Sequence, residues 1–301
     1  MPVAPTQSAP THRAIHCPTG RTIEIGDRPL IMGVLNLTPD SFSDGGLWTD
    51  PDRATEHAGS LVAQGADILD LGAESTRPGG GTYGTGAVSV PVNEELDRLL
   101  PVLRRLRRLT SVPISVDTRK GEVAERALQE GADLINDISS LEDPQLADVV
   151  ARRSAPIVLM HSRGSLSSMQ RDITFQNVVF EVASELRQNV DKAIRAGIAK
   201  DRIILDPGIG FGKTKQQNLE LLRNLDHFND LGFPVLIGAS RKSFIGEVSN
   251  TSADHRLPGS LAAVAWAQIS RVAIIRVHDV EETAQFIEVW NSISKAGRAE
   301  S

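Results

Sequence analysis

At 301 residues, with 40% hydrophobic and 23% charged side chains, the chain has the balance of an ordinary globular protein, which excludes a disordered or fibrous one. Its 38 acidic and 32 basic side chains leave a formal net charge of −6, so no overall basic field exists to hold a nucleic-acid backbone. The sole cysteine, Cys17, permits neither an internal disulfide nor a thiolate metal cage, and the apolar, uncharged segment Ser260–Ser270, ended by Arg271, falls well short of the roughly 20 apolar residues that span a bilayer.

The first residues, MPVAPTQSAPTHR, lack the apolar stretch of a secretory signal, so a cytoplasmic protein without nucleic-acid or membrane partners is expected. Residues 1–11, rich in Pro, Ala, Ser and Thr, are expected to be a mobile tail. A small hairpin follows within 12–28, with Arg13–Cys17 and Thr22–Ile25 flanking the turn Pro18-Thr19-Gly20.

From Leu30 a rhythm sets in: a short apolar run, a polar or glycine-rich stop, then a longer amphipathic stretch. It occurs eight times. The runs Leu30–Leu35, Asp67–Leu71, Pro113–Val116, Asp133–Ile135, Pro156–Met160, Arg202–Leu205, Pro234–Ile237 and Val272–Val277 have the continuous Ile, Val and Leu content of parallel strands covered on both faces. Between them, Asp52–Gln64, Asn93–Leu109, Lys120–Gln129, Asn177–Ala196, Gln217–Leu231, Leu257–Ile269 and Val280–Lys295 have helical length and spacing, with Gly65, Gly131, Gly197 and Gly232 set to close four of them at positive φ. Unbroken alternation without a dinucleotide fingerprint predicts an α/β fold: a single (β/α)8 barrel over 29–297 behind the short N-terminal hairpin.

In such a barrel the reactive groups stand at the carboxyl ends of the strands. Asp117, Asn136 and Asp206, with Lys242 as an added cation, suit the edge of a flat amino-pyrimidinone heterocycle. The alternative for any one carboxylate is a helix cap or an ion-pair partner, Asp117 for the helix after it; Asp206, followed by Pro207, is the more informative. Arg77, Arg276 and His278, joined by the Asn36 amide, form an anion site, against the plainer alternative that Arg276 pairs with Asp279, Glu281 or Glu282. No zinc-like ligand spacing is present; magnesium carried by substrate phosphates and one amide oxygen remains open.

The segment Asp206–Thr214 nearly spells a phosphate-binding P-loop, but Pro207 occupies the position of the first glycine and has no N–H to offer. Its glycines instead let backbone approach a flat ligand, with Phe211 as an apolar wall. Two long glycine-rich loops, Asn36–Trp48 and Glu74–Pro91, read as lids. Ser240 and Ser243 have no base identifiable beside them and Cys17 is remote, so no covalent enzyme intermediate is expected.

These residues coincide with a known pattern: the chain resembles the dihydropteroate synthase family. The likeness rests, in order, on MGVLNLTPDSFSDGG (Met32–Gly46), ESTRPG (Glu74–Gly79), SVDT (Ser115–Thr118), INDI (Ile135–Ile138), LMH (Leu159–His161), DPGIGFGK (Asp206–Lys213), GASRKSFIG (Gly238–Gly246), GSLAA (Gly259–Ala263) and RVHDV (Arg276–Val280). The resemblance implies a transferase of folate biosynthesis that condenses 6-hydroxymethyl-7,8-dihydropterin diphosphate with 4-aminobenzoate, with Mg2+ assisting. By motif position Asp117, Asn136, Asp206 and Lys242 would hold the pterin, Met160 packing nearby, while Asn36, Arg77, Arg276 and His278 would take the diphosphate and its magnesium, the metal resting on Asn36. Thr76, Arg77, Pro78, Phe211 and Ser243 match the aminobenzoate pocket, with Phe42 and Asp44 entering from the first loop. Asp117, Arg77, Lys242 and Asp206 are the expected catalytic group. A homodimer is implied through outer barrel helices, and the family is a sulfonamide target.

Carbon–oxygen cleavage can precede attack, because the diphosphate leaves an exocyclic methylene on an electron-rich ring. A pterin-dependent methyltransferase barrel and a non-catalytic pterin binder share the acidic pocket. The methyltransferase does not need the cationic set, and the binder would be expected to lose the loop residues Asp44, Thr76 and Arg77, which are present.

Overall fold

A computed structural model describes residues 12–38, 50–74, 90–164 and 174–296. Eight parallel strands alternate with helices: β3 (Leu30–Asn36), α1 (Pro51–Ala63), β4 (Ile68–Gly72), α2 (Val92–Leu109), β5 (Ile114–Asp117), α3 (Gly121–Gln129), β6 (Leu134–Asp137), α4 (Pro144–Arg153), β7 (Ile157–Met160), α5 (Val178–Arg195), β8 (Ile203–Asp206), α6 (Lys215–Arg223), α7 (Leu225–Asn229), β9 (Leu236–Ile237), α8 (Ser243–Ser249), α9 (Leu257–Ile269), β10 (Ile274–Val277) and α10 (Val280–Lys295). They are ordered β8-β7-β6-β5-β4-β3-β10-β9. A parallel bridge between Leu205 and Val235 joins the ends and closes the barrel, with Leu205 N donating to Pro234 O at 2.9 Å. This is the predicted (β/α)8 architecture.

Alternation along each strand sorts two buried layers. Outward side chains such as Ile31, Leu35, Leu69, Leu71, Val116, Ile157, Leu205 and Ile275 pack under the helices. Inward ones, Met32, Ile68, Leu134, Val158, Ile204, Leu236 and Ile274, fill the lower barrel and meet Ile15, Cys17, Ile23 and Ile25 of the hairpin β1 (Arg13–His16) and β2 (Thr22–Ile25). The hairpin is thus a plug for the amino-terminal end of the barrel, each buried Ile contributing about 2 kcal/mol. Polar clamps seat it: Arg202 Nη1 donates to His16 O at 3.2 Å, and Thr19 donates to the fully buried Asp133, which also accepts from Arg107 Nη1 at 2.9 Å and Ile114 N at 2.8 Å.

Helix ends follow local chemistry. Asp50 and Asp143 each cap a helix that starts with proline, Asn177 caps α5, and Thr214 and Gln217 form a reciprocal capping box on α6. Gly65, Gly131, Gly197 and Gly232 stand at φ between +83° and +105°, as read from the sequence. The expected helix over 217–231 is two, because Asn224 leaves helical geometry (φ −114°, ψ 33°) between α6 and α7. Helices α4 and α8 were not assigned from sequence. No described helix is long and apolar enough to cross a membrane.

Candidate active site

Strand register builds the floor of the site. Asn36 pairs with Gly72, Gly72 with Asp117, and Asp117 with Asn136, so four neighbouring strands end in one row; Met160 pairs with Asp206 farther round. Gly72 leaves a gap in that row: a Cβ there would lie 3.7 Å from Asp117 Cβ and 3.8 Å from Asn36 Oδ1.

One layer lower, Asp70 is wholly buried and bonds two of the row's neighbours. Arg276 Nε donates to its Oδ2 at 2.6 Å, and Asn136 Nδ2 donates to the same oxygen at 3.2 Å. A carboxylate can only accept, which fixes the Asn136 amide with Oδ1 left as an acceptor. Arg276 also donates Nη2 to Asp117 Oδ2 at 3.2 Å, while Asp117 Oδ1, like Asp70 Oδ1, is buried with no partner among the described residues. Such an orphaned acceptor at a barrel mouth calls for a donor from a ligand.

Asp206 Oδ1 accepts from Gly208 N at 2.7 Å, and Lys242 Nζ lies 4.0 Å from the centre of the Phe211 ring. Gly210 makes room for Lys242, since a Cβ there would meet Lys242 Cδ at 2.8 Å. His278 N donates to Ser240 Oγ at 3.2 Å, and that hydroxyl in turn lies 3.1 Å from His278 Nδ1. The Ser240 hydroxyl thus anchors both the main chain and the ring of His278, which fixes the imidazole at the end of β10. Met160, at the end of β7, is buried, and Ser243 opens α8.

Burial and mutual charge tune these groups. The Asp117 carboxyl is pushed up to about 8 by burial and by Asp70, with Arg276 opposing. Asp206 is also raised by burial, against its bond from Gly208 and the Lys242 charge. Burial brings Lys242 down to about 8 and, with the Arg276 and Arg241 charges, His278 down to about 3. Despite burial, Asp70 and Asp117 hold Arg276 above its ordinary value.

Several sequence alternatives are resolved. Asp117 caps no helix, since α3 begins behind Lys120 without a side-chain cap. Arg276 pairs with Asp70 and Asp117, while Arg241 takes Asp279, Nε to Oδ2 at 3.1 Å. One expectation is corrected: Ser240 does have a histidine beside it, although an imidazole held near pKa 3 is too weak a base to activate a hydroxyl. Phe42, Asp44, Thr76, Arg77 and Pro78, together with most of both loops read as lids, lie outside the described residues. Asp70 and Lys213 were not singled out as site residues from sequence; a charge inside the apolar strand ILDLG was the signal for the first.

A family profile described as "Pterin binding enzyme" matches residues 32–278. A dihydropteroate synthase from Synechocystis is 43% identical over 279 residues, 92% of this chain and 94% of its own length. The chain belongs to the dihydropteroate synthase family. Two solved family structures from Xanthomonas albilineans extend the likeness to three dimensions. One, with 4-aminobenzoic acid, has a TM-score of 0.85 at 43% identity and covers 94% of this chain and 99% of its own. The other, in complex with 7,8-dihydropteroate, has a TM-score of 0.81 at 40% identity and covers 93% and 98%.

Proposed function

We propose that this chain makes 7,8-dihydropteroate by condensing 6-hydroxymethyl-7,8-dihydropterin diphosphate with 4-aminobenzoate, releasing diphosphate. The observation that carries the reading is the meeting of two unlike sets of groups, through the Arg276–Asp117 contact, at one barrel mouth.

Asp117, Asn136 and Asp206 offer acceptors to the N–H groups of a pterin, and Lys242 a donor to its carbonyl. The two carboxylates favour the cationic pterin that forms as the carbon–oxygen bond lengthens, while Arg276 and His278 hold the departing diphosphate. Arg77 is assigned beside them by motif. The aminobenzoate amine then attacks the methylene carbon, flanked by Phe211, Ser243, Thr76 and Pro78, with Phe42 and Asp44 from the first loop and Met160 against the pterin. Asp117, Arg77, Lys242 and Asp206 are the catalytic group of this reading.

Magnesium fits the donor set. Asn36 brings one amide oxygen to the row that holds Asp117 and would hold the ion there, with diphosphate oxygens supplying other ligands, as suits a cation that needs few protein groups. When bound it withdraws charge from the leaving group.

The reading also takes the protein to be cytoplasmic and a homodimer. An apolar groove of about 420 Å³ between α6, α8 and α9, lined by Leu219, Phe244, Ile245, Val248 and Trp266, supports pairing through outer helices.

Diphosphate release measured with both substrates and magnesium tests the function. Release that depends on the pterin diphosphate and yields dihydropteroate when the arylamine is present is expected; binding without release would leave a pterin binder.

A further inference from the structure

Lys213 is the lysine of the segment that resembles a P-loop, and it meets the residues assigned to substrate only through the main-chain oxygen of Phe211. It is 3% exposed. Its ammonium donates to Phe211 O at 2.8 Å and Gly208 O at 2.9 Å, and its third hydrogen meets His161 Nδ1 at 3.1 Å. His161 is held from the other side, Nε2 to Glu185 Oε2 at 2.9 Å, and Glu185 is itself bonded by Arg163 Nε at 3.0 Å. Because that carboxylate can only accept, the imidazole proton sits on Nε2 and Nδ1 is an acceptor. All three ammonium hydrogens are then spent inside the protein, which leaves none for a phosphate.

The two carbonyls held by Lys213 flank the working loop. Gly208 N donates to Asp206 Oδ1 at 2.7 Å, and Phe211 carries the ring under Lys242. The loop is also pressed on the end of β7: a Cβ on Gly208 would lie 1.9 Å from His161 O. We infer that Lys213, locked by His161 and Glu185, is a positioning residue that ties the Asp206 carboxylate and the Phe211 wall into one rigid piece, so that the two substrate subsites keep a fixed spacing. The subsite names rest on the function proposed above; the lock itself does not.

Burial brings Lys213 down to about 7, with Asp206 pulling upward. The charged and titratable groups around it are Asp206 from β8, Lys242 after β9, His161 at the end of β7, Glu185 on α5, and Arg163. Loss of its proton removes one donor from the lock.

Two variants test this. Lys213→Met is expected to raise the KM for aminobenzoate and the Kd for the pterin diphosphate each by about tenfold or more, the size of one charge-assisted hydrogen bond. Glu185→Gln, at a partly exposed side chain, keeps the shape but lets an amide donate to His161 Nε2, which frees the tautomer. The pH at which aminobenzoate KM begins to rise is expected to fall relative to the unaltered protein, and Lys213→Met is expected to show no such rise. Amide hydrogen exchange across 206–213, expected to quicken in both variants, reads the lock without either substrate and so stands even if the assigned reaction fails. Unchanged exchange and constants in Lys213→Met, or an unshifted pH profile in Glu185→Gln, overturns the inference.

Discussion

Arg276 Nε donates to Asp70 Oδ2 at 2.6 Å in the barrel interior, one layer below the row of Asn36, Asp117 and Asn136. The pair aims a cation at the mouth from a carboxylate one layer below it. The same oxygen also orients Asn136, so Asp70→Asn keeps an acceptor there but removes the charge that pairs with Arg276. We expect kcat/KM to fall about 100-fold and the fold to lose about 3 kcal/mol, the scale of breaking a buried ion pair. Steady-state kinetics and urea unfolding measure both; a loss of stability with intact kinetics would deny Asp70 any part in the site.

The raised Asp117 carboxyl gives a signed pH dependence. Its folded pKa, about 8, lies above its ordinary value of 3.8, so the ligand-free fold is best served by the protonated form, and this contribution is lost as pH rises from about 4 through 8. Pterin N–H donors favour the carboxylate, so binding expels a proton. Affinity for the pterin should therefore rise with pH between 6 and about 8, and titration calorimetry in buffers of different ionisation heat should register the proton released. Asp117→Asn should abolish both effects.

Gly208 is at φ +70° and its α-carbon faces the His161 carbonyl. Gly208→Ala meets both a left-handed backbone cost and a clash with main chain, so the Asp206 loop must shift. A loss of about 2 kcal/mol in stability is expected, with pterin affinity down at least tenfold. Wild-type affinity in this variant would mean that the loop tolerates displacement.

The hairpin plug is separable from the chemistry. Ile23→Ala removes a fully buried side chain from the lower barrel and should cost about 3 kcal/mol, leaving KM and kcat unchanged at temperatures where the protein is folded. Chemical denaturation alongside steady-state assay checks it; altered kinetics would show that the plug reaches the mouth.

Much of this architecture was legible because a strand covered on both faces writes itself as an uninterrupted apolar word. The eight runs needed only that pattern, the hairpin was marked by its turn Pro18-Thr19-Gly20, and Asp117, Asn136, Asp206 and Arg276 stood out as polar letters at the ends of the apolar words. Helix α4 escaped because Asp148, Arg152 and Arg153 dilute a ten-residue segment, although Asp143-Pro144 carried a start signal. Seven-residue α8 has no side-chain cap to announce it. Asp137, beside Asn136 at the same strand end, is turned outward by strand alternation, where it accepts from Ser139 N at 2.8 Å and shapes the next turn. Asp70 and Lys213 act through other residues over long sequence separations, and a one-dimensional pattern carries no trace of such partners.

The central claim is that one ligand is gripped at opposite ends by two sets of residues. Calorimetric titration of Asp206→Asn and His278→Ala, each with the pterin diphosphate and with the same pterin lacking diphosphate, tests it most directly. Asp206→Asn should weaken both ligands by similar factors of about ten or more, and His278→Ala should weaken only the ligand that carries diphosphate. Equal losses for both ligands in His278→Ala, or unchanged affinity in Asp206→Asn, would contradict the account.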